Sequence, residues 1–217
     1  MSVSENLKSL KSKLPEEVSL VAISKTKPIS ALMDAYNAGQ RIFGENKIQE
    51  MVSKWQEMPD DVEWHMVGHV QRNKVKDMAP FVSVIHAVDR LRLLREINKE
   101  AKKNDRSIDC LLQIKIAEED SKFGMDEKTA IEILTSDDFK SFKNVRIIGL
   151  MGMATFTDNE EQISNEFGKL KRIYDSLKKD YNFSTLSMGM SGDYPIAIEN
   201  GSNMVRVGSA IFGEREY

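Results

Sequence analysis

Short apolar runs alternate with longer amphipathic runs about eight times along this chain, and few folds accommodate that order. Eight segments read as strands: residues 18–24, 41–44, 62–68, 82–86, 108–115, 145–151, 184–188 and 204–207. Each is followed by a stretch with helical signals. The first helix is predicted to open at Pro28, which suits a first turn, and to stop at Gly39. Others are expected over 46–57, 71–78, 160–179 and 194–199, with a last short turn over 210–212. Asp89 and Asp126 are expected to cap helices reaching Lys103 and Leu134, because an aspartate oxygen can accept a free backbone N–H there. Near-continuous apolar strands alternating with helices predict an α/β fold whose parallel sheet is covered on both faces. Eight units predict closure into one (β/α)8 TIM barrel spanning residues 1–217 as a single domain. A doubly wound open sheet is the competing architecture. The chain ends soon after the eighth strand. Leu7, Leu10 and Leu14, spaced by three and four, predict an extra N-terminal helix filling the place of the eighth helix.

Composition narrows the function classes. Net charge is −3, from 31 basic and 34 acidic residues, without the basic excess of a general nucleic-acid binder. No apolar run approaches the roughly 18–20 residues that cross a bilayer, so no membrane partner is expected. The N-terminus lacks the apolar centre of a secretion signal, and the single Cys110 allows no internal disulfide. These features predict a cytoplasmic protein, with Cys110 a buried structural thiol. The 12 methionines are scattered along the chain, which suits core filling better than metal binding.

Barrels of this kind carry their chemistry at the C-terminal ends of the strands, so polar residues there matter most. Lys25 closes the first strand, in register with Val21 and Ile23. Desolvation at a barrel mouth favours a neutral amine, which can form an imine with an aldehyde. A strand-end lysine reaching water is the competing reading, and the strand alone favours it. Gly189, Ser191, Gly192, Gly208, Ser209 and Gly213 surround the loops after strands seven and eight, where such barrels often bind phosphate. Arg206, near the end of strand eight, must be paired or bound if buried. Its expected roles are a partner for an aromatic ring nitrogen, or an ion pair with a rim carboxylate such as Glu45. His65 and His69 are four apart, but across a strand and loop, so no metal site is expected. His86 is expected as a hydrogen-bonded rim residue.

Five segments together resemble one known family. They are Val21-Ala-Ile-Ser-Lys-Thr-Lys-Pro28, Phe43-Gly-Glu-Asn46, Trp64-His-Met-Val-Gly-His-Val-Gln-Arg-Asn-Lys74, Leu186-Ser-Met-Gly-Met-Ser191 and Val205-Arg-Val-Gly-Ser-Ala-Ile-Phe-Gly213. In this order they resemble the pyridoxal phosphate homeostasis proteins, as does Asp120-Ser-Lys-Phe-Gly124. His69-Val70 departs from many members without touching the expected contacts. The resemblance implies a fold-type III barrel, similar to the N-terminal domain of alanine racemase and lacking a C-terminal β domain. It implies pyridoxal 5′-phosphate (PLP) held as a Schiff base on Lys25 rather than Lys27. It also implies phosphate contacts from Ser191, Gly192, Gly208 and Ser209, a ring-nitrogen contact from Arg206, and a nearby role for Asn46. Family members are understood as carriers or regulators of the cofactor, with no established catalytic activity. PLP-dependent apoenzymes are the partners such a carrier would serve, and the missing second domain suggests a monomer.

Chemistry points the same way. Racemisation needs an acid–base group on each face of the substrate carbon, and Lys25 supplies one. An arginine at the ring nitrogen also weakens the cofactor as an electron sink. A PLP-dependent racemase or lyase is the alternative. A phosphate-ligand or RNA-associated protein without covalent cofactor is a third class.

Overall fold

The computed structural model describes residues 2–119 and 123–214. Its elements are α1 (Val3–Lys11), β1 (Ser19–Ile23), α2 (Ile29–Asn37), β2 (Ile42–Glu45), α3 (Ile48–Glu57), β3 (Glu63–Met66), a 3-10 turn (Arg72–Lys74) running into α4 (Val75–Met78), β4 (Val84–Val88), α5 (Leu91–Lys103), β5 (Ile108–Gln113), α6 (Glu127–Thr135), α7 (Asp137–Ser141), β6 (Val145–Met151), α8 (Glu160–Tyr181), β7 (Thr185–Ser187), α9 (Tyr194–Glu199), β8 (Met204–Val207) and α10 (Ser209–Phe212). The strands close into one parallel barrel in sequence order, which excludes the open sheet. The seam pairs β1 with β8, Val21 opposite Arg206 and Ala22 opposite Val207.

Strand alternation sorts the side chains into two sets. Leu20, Phe43, Trp64, Ile85, Leu112 and Val205 point outward and pack with helix residues in the main core. Val84, Ala87, Leu111 and Met151 form a second cluster with Ile148 and Met153; it contains no helix residue and fills part of the barrel interior. Cys110 belongs to the outer core, where burial pushes its thiol well above the usual range.

Local signals account for several helix ends. Ser2 and Glu5 form a capping box at α1, each side chain meeting the other's backbone N–H. Asp126 caps α6 by accepting from the Thr129 N–H. Asn182 ends α8 in the left-handed conformation, at φ 54°. Asp89 does not cap α5: Arg90 occupies the cap position, and the Asp89 carboxylate is drawn instead to the Arg90 guanidinium. Short α7, after the β5–β6 crossover helix, was not expected from the sequence, although Ser136 caps it by accepting from the Phe139 N–H and Asp137 and Asp138 fill its first turn. The N-terminal helix packs on α10, with Asn6 Nδ2 donating to the Ile211 carbonyl at 3.1 Å, so it occupies the expected gap. Among the described residues, no helix is long and apolar enough to cross a membrane.

Candidate functional site

The turn that carries Lys25 begins where β1 stops. Val21 and Ile23 face inward, since both would touch a side chain built on inward-facing Gly44. The strand ends at Ile23, however, and Lys25 is not its last residue as strand parity suggests. Lys25 sits half-buried in a turn closed by the Lys27 N–H donating to the Ser24 carbonyl at 3.1 Å. Thr26, the next residue, has φ 65°. That conformation is a rare one for a β-branched side chain.

Helix α3 and strand β2 grip this turn. Lys54, only 6% exposed, donates from Nζ to the Ser24 carbonyl, to Glu45 Oε1 and to Glu50 Oε1, each at 2.7 Å. Ser24 Oγ donates to Glu45 Oε1 at 2.6 Å, and the Thr26 N–H donates to Glu50 Oε1 at 2.5 Å. Glu45 is therefore not the partner of Arg206. It follows inward-facing Gly44, so it points out of the barrel toward α3. Burial raises the Glu45 carboxyl above the usual range, against the pull of Lys54, and its Oε2 has no hydrogen-bond partner among the described residues.

A polar chain crosses the barrel interior. Arg206 Nη1 donates to Ser187 Oγ at 2.7 Å, and Nη2 donates to the Gly152 carbonyl at 3.0 Å. Ser187 Oγ lies 3.2 Å from His86 Nδ1, and His86 Nε2 lies 2.9 Å from His65 Nδ1. Arginine only donates, so a single direction of donation satisfies the chain. Ser187 gives its hydroxyl proton to His86 Nδ1, and His86 Nε2–H donates to His65 Nδ1. Burial holds both imidazoles neutral, His65 down to about 3 and His86 well below its usual value, the latter also opposed by His65 and Arg206. His86 is fully buried inside the barrel rather than on its rim.

Arg206 is 4% exposed and, among the described residues, has no carboxylate within 4.0 Å. Burial lowers its guanidinium to about 10, with Asp193 opposing, so it stays charged at neutral pH. A buried cation held only by neutral oxygens is suited to a further acceptor, such as an aromatic nitrogen.

The glycine loops flank this cation. Gly189, at φ 97°, turns the chain after β7, and a Cβ there would stand 2.6 Å from the Ala197 side chain. The Arg206 N–H donates to the Gly189 carbonyl at 2.9 Å. Asp193 Oδ1 accepts from the Met190 N–H at 2.5 Å and fixes the loop holding Ser191 and Gly192. Ser191 Oγ accepts from the Gly208 N–H at 3.1 Å, joining the two loops. Gly208 lies against the end of β1, where a Cβ would come within 3.1 Å of the Ile23 carbonyl. Ser209 is exposed at the start of α10. Asn46 follows β2, half-buried, and its carbonyl would be 2.3 Å from a Cβ on Gly68.

Lys25, Asn46, Ser191, Gly192, Arg206, Gly208 and Ser209 thus all lie at the C-terminal ends of four strands that adjoin around the barrel, β7, β8, β1 and β2. Sequence reasoning missed Lys54, Glu50, Ser187 and Asp193. Only the four-residue spacing of Glu50 and Lys54 offered a signal, and such pairs are common on exposed helices. Residues 120–122 of the Asp120–Gly124 segment, and Tyr217, lie outside the described residues. Phe123 from that segment stacks on His69, ring centroids 4.8 Å apart.

The family profile for the alanine racemase N-terminal domain matches residues 2–216. The pyridoxal phosphate homeostasis protein of Aquifex aeolicus (strain VF5) is 38% identical over 201 residues, covering 91% of this chain and 87% of its own. That of Escherichia coli (strain K12) is 37% identical over 211 residues, covering 94% and 88%. PipY of Synechococcus elongatus PCC7942, solved with PLP bound, superposes with a TM-score of 0.88 at 33% identity, covering 98% of this chain and 100% of that one. Alanine racemase of Clostridium difficile 630 shares the fold, with a TM-score of 0.80 at 13% identity, covering all of this chain and 57% of that one. The chain belongs to the pyridoxal phosphate homeostasis proteins, a family built on the alanine racemase N-terminal domain.

Proposed function

We propose that this protein carries or buffers PLP, held as a Schiff base on Lys25 at the mouth of the barrel. One observation carries the reading: the β1–β8 seam sets Val21 opposite buried Arg206 and brings Gly208 against Ile23, two residues before Lys25. The donor set suits the cofactor's three recognisable parts. Lys25 offers an amine to the aldehyde. Arg206, cationic at neutral pH, offers donors to the ring nitrogen. Ser191, Gly192, Gly208 and Ser209 offer hydroxyl and backbone groups to the phosphate. Asn46 lies beside β1 at the same end.

The cofactor supplies an aldehyde and, once bound to an amine, a conjugated electron sink. Arg206 remains protonated, so it keeps a facing ring nitrogen unprotonated and weakens that sink. Lys25 is half-buried, while Gly192 and Ser209 are exposed, an arrangement that favours exchange with solvent. Retention with exchange suits a monomeric carrier serving PLP-dependent apoenzymes better than a racemase. The names of the Aquifex and Escherichia relatives, and the PLP bound to PipY, support the same reading.

Borohydride reduction tests it. The purified protein should show visible absorbance from bound cofactor, and reduction should fix an adduct on the peptide containing Lys25. Absence of that adduct refutes the assignment.

A further inference from the structure

We propose that Lys54 and Glu50 of α3 are positioning residues that present Lys25 for bond formation with the aldehyde. This rests on the Schiff-base reading above and adds the device that makes it work.

Lys25 stands between the two backbone groups that α3 holds. Lys54 Nζ takes the carbonyl of Ser24, the residue before it, at 2.7 Å. Glu50 Oε1 takes the N–H of Thr26, the residue after it, at 2.5 Å. Residues four apart share one helix face, so a single turn of α3 supplies both contacts. A 2.7 Å ion pair locks Glu50 and Lys54 together, and Glu45 adds a third contact through Ser24 Oγ. The grip falls where the backbone most needs it, since Thr26 adopts a left-handed φ that a β-branched residue rarely takes.

The same contacts divide labour between neighbouring lysines. An ammonium has three protons, and Lys54 gives them to three oxygens, each at 2.7 Å. Those three contacts occupy every donor of the Lys54 ammonium. Lys27 Nζ donates to the Glu214 carbonyl at 2.8 Å, away from this cluster. Lys25 is the lysine whose flanking backbone groups α3 holds on both sides. Imine formation would join Lys25 Nζ to the aldehyde carbon, and the carbonyl oxygen would leave as water with both protons of the amine. No oxidant or reductant is needed. A buried lysine is also a poor choice for simple packing, since an apolar side chain of similar volume would often be as stable.

The test separates bond formation from ring and phosphate binding. Wild type, Lys54→Met, Glu50→Ala and Glu50→Gln are titrated with PLP and with pyridoxine 5′-phosphate. The latter keeps ring and phosphate but carries an alcohol in place of the aldehyde. Imine absorbance and the borohydride adduct on the Lys25 peptide report the covalent step. Lys54→Met and Glu50→Ala should weaken PLP retention about tenfold or more, the scale of one charge-assisted hydrogen bond. Pyridoxine 5′-phosphate should still bind within about twofold, below the threshold of a lost contact. Glu50→Gln keeps an acceptor for the Thr26 N–H and should fall between wild type and Glu50→Ala. Equal adduct formation in all four proteins overturns the proposal, and so does parallel weakening of both ligands, which marks a merely structural role. Lys54→Met strands Glu45, so if it does not fold, the partly exposed Glu50 site carries the test. A wild type with no Lys25 adduct brings down the Schiff-base reading itself, and this inference with it.

Discussion

The two buried imidazoles inside the barrel should make the protein lose stability steeply in mild acid. His65 is held down to about 3 and His86 well below its usual value, both chiefly by desolvation. Unfolded, each titrates near about 6.5. Their folded values are depressed, so the stability they contribute is present above about pH 6.5 and is lost as pH falls below it. Each takes up close to one proton on unfolding at about pH 5, a slope of about 1.4 kcal/mol per pH unit. Integrated from about pH 7 to about pH 5, the loss is about 2 kcal/mol per histidine and about 4 kcal/mol for the pair. Against a typical total of roughly 5–15 kcal/mol, that is large. Glu45 acts in the opposite sense: its folded value is raised, so its protonation favours the folded state as pH falls. The comparison that isolates the histidines is therefore with His86→Gln, which keeps a donor and an acceptor but does not titrate. Urea denaturation of both proteins at the two pH values gives the result. The acid-induced loss should be smaller in His86→Gln by about 2 kcal/mol, whatever its stability at neutral pH. Equal losses would refute the neutral buried pair.

Two further outcomes follow from close contacts at the mouth. Gly68→Ala puts a Cβ 2.3 Å from the Asn46 carbonyl, a backbone atom that cannot swing aside. It should cost about 1–3 kcal/mol in thermal or urea unfolding and weaken PLP retention by displacing Asn46; an unchanged variant would show that this backbone yields freely. Alanine at both Ser191 and Ser209 should reduce PLP retention in dialysis more than Cys110→Ala, whose thiol lies in the outer core. Equal retention would remove both serines from the phosphate site.

The barrel was legible because its strands carry their own evidence. The segments 145–151 and 204–207 have the predicted bounds, since apolar runs ending at Gly or Asn leave little freedom. Misreadings cluster where tertiary contacts override local rules. Asp89 has the chemistry of a cap but spends its carboxylate on Arg90. Glu45 reads as a rim acid, yet it is the outward member of an alternation whose inward member is Gly44, and only α3 behind it reveals Lys54. The residues proposed to face the ligand were legible because they stand at strand ends and in glycine loops. Their supports were not: Ser187 joins Arg206 to His86 across 19 and 101 residues, distances that no local spacing encodes.

Closing the barrel at the β1–β8 seam also orders events in time. Lys25 lies near the start of the chain, and Arg206 and Gly208, proposed to hold the same cofactor, lie near the end. Contacts of such long sequence separation form slowly and late. While the chain is being synthesised, the residues proposed to hold the phosphate and ring do not yet exist beside Lys25. A nascent chain therefore presents only an isolated lysine to a reactive aldehyde, and the complete grip arises when the last strand docks on the first. With the proposed site, cofactor capture would report finished folding, and a cofactor that binds only the closed form would hold the seam shut.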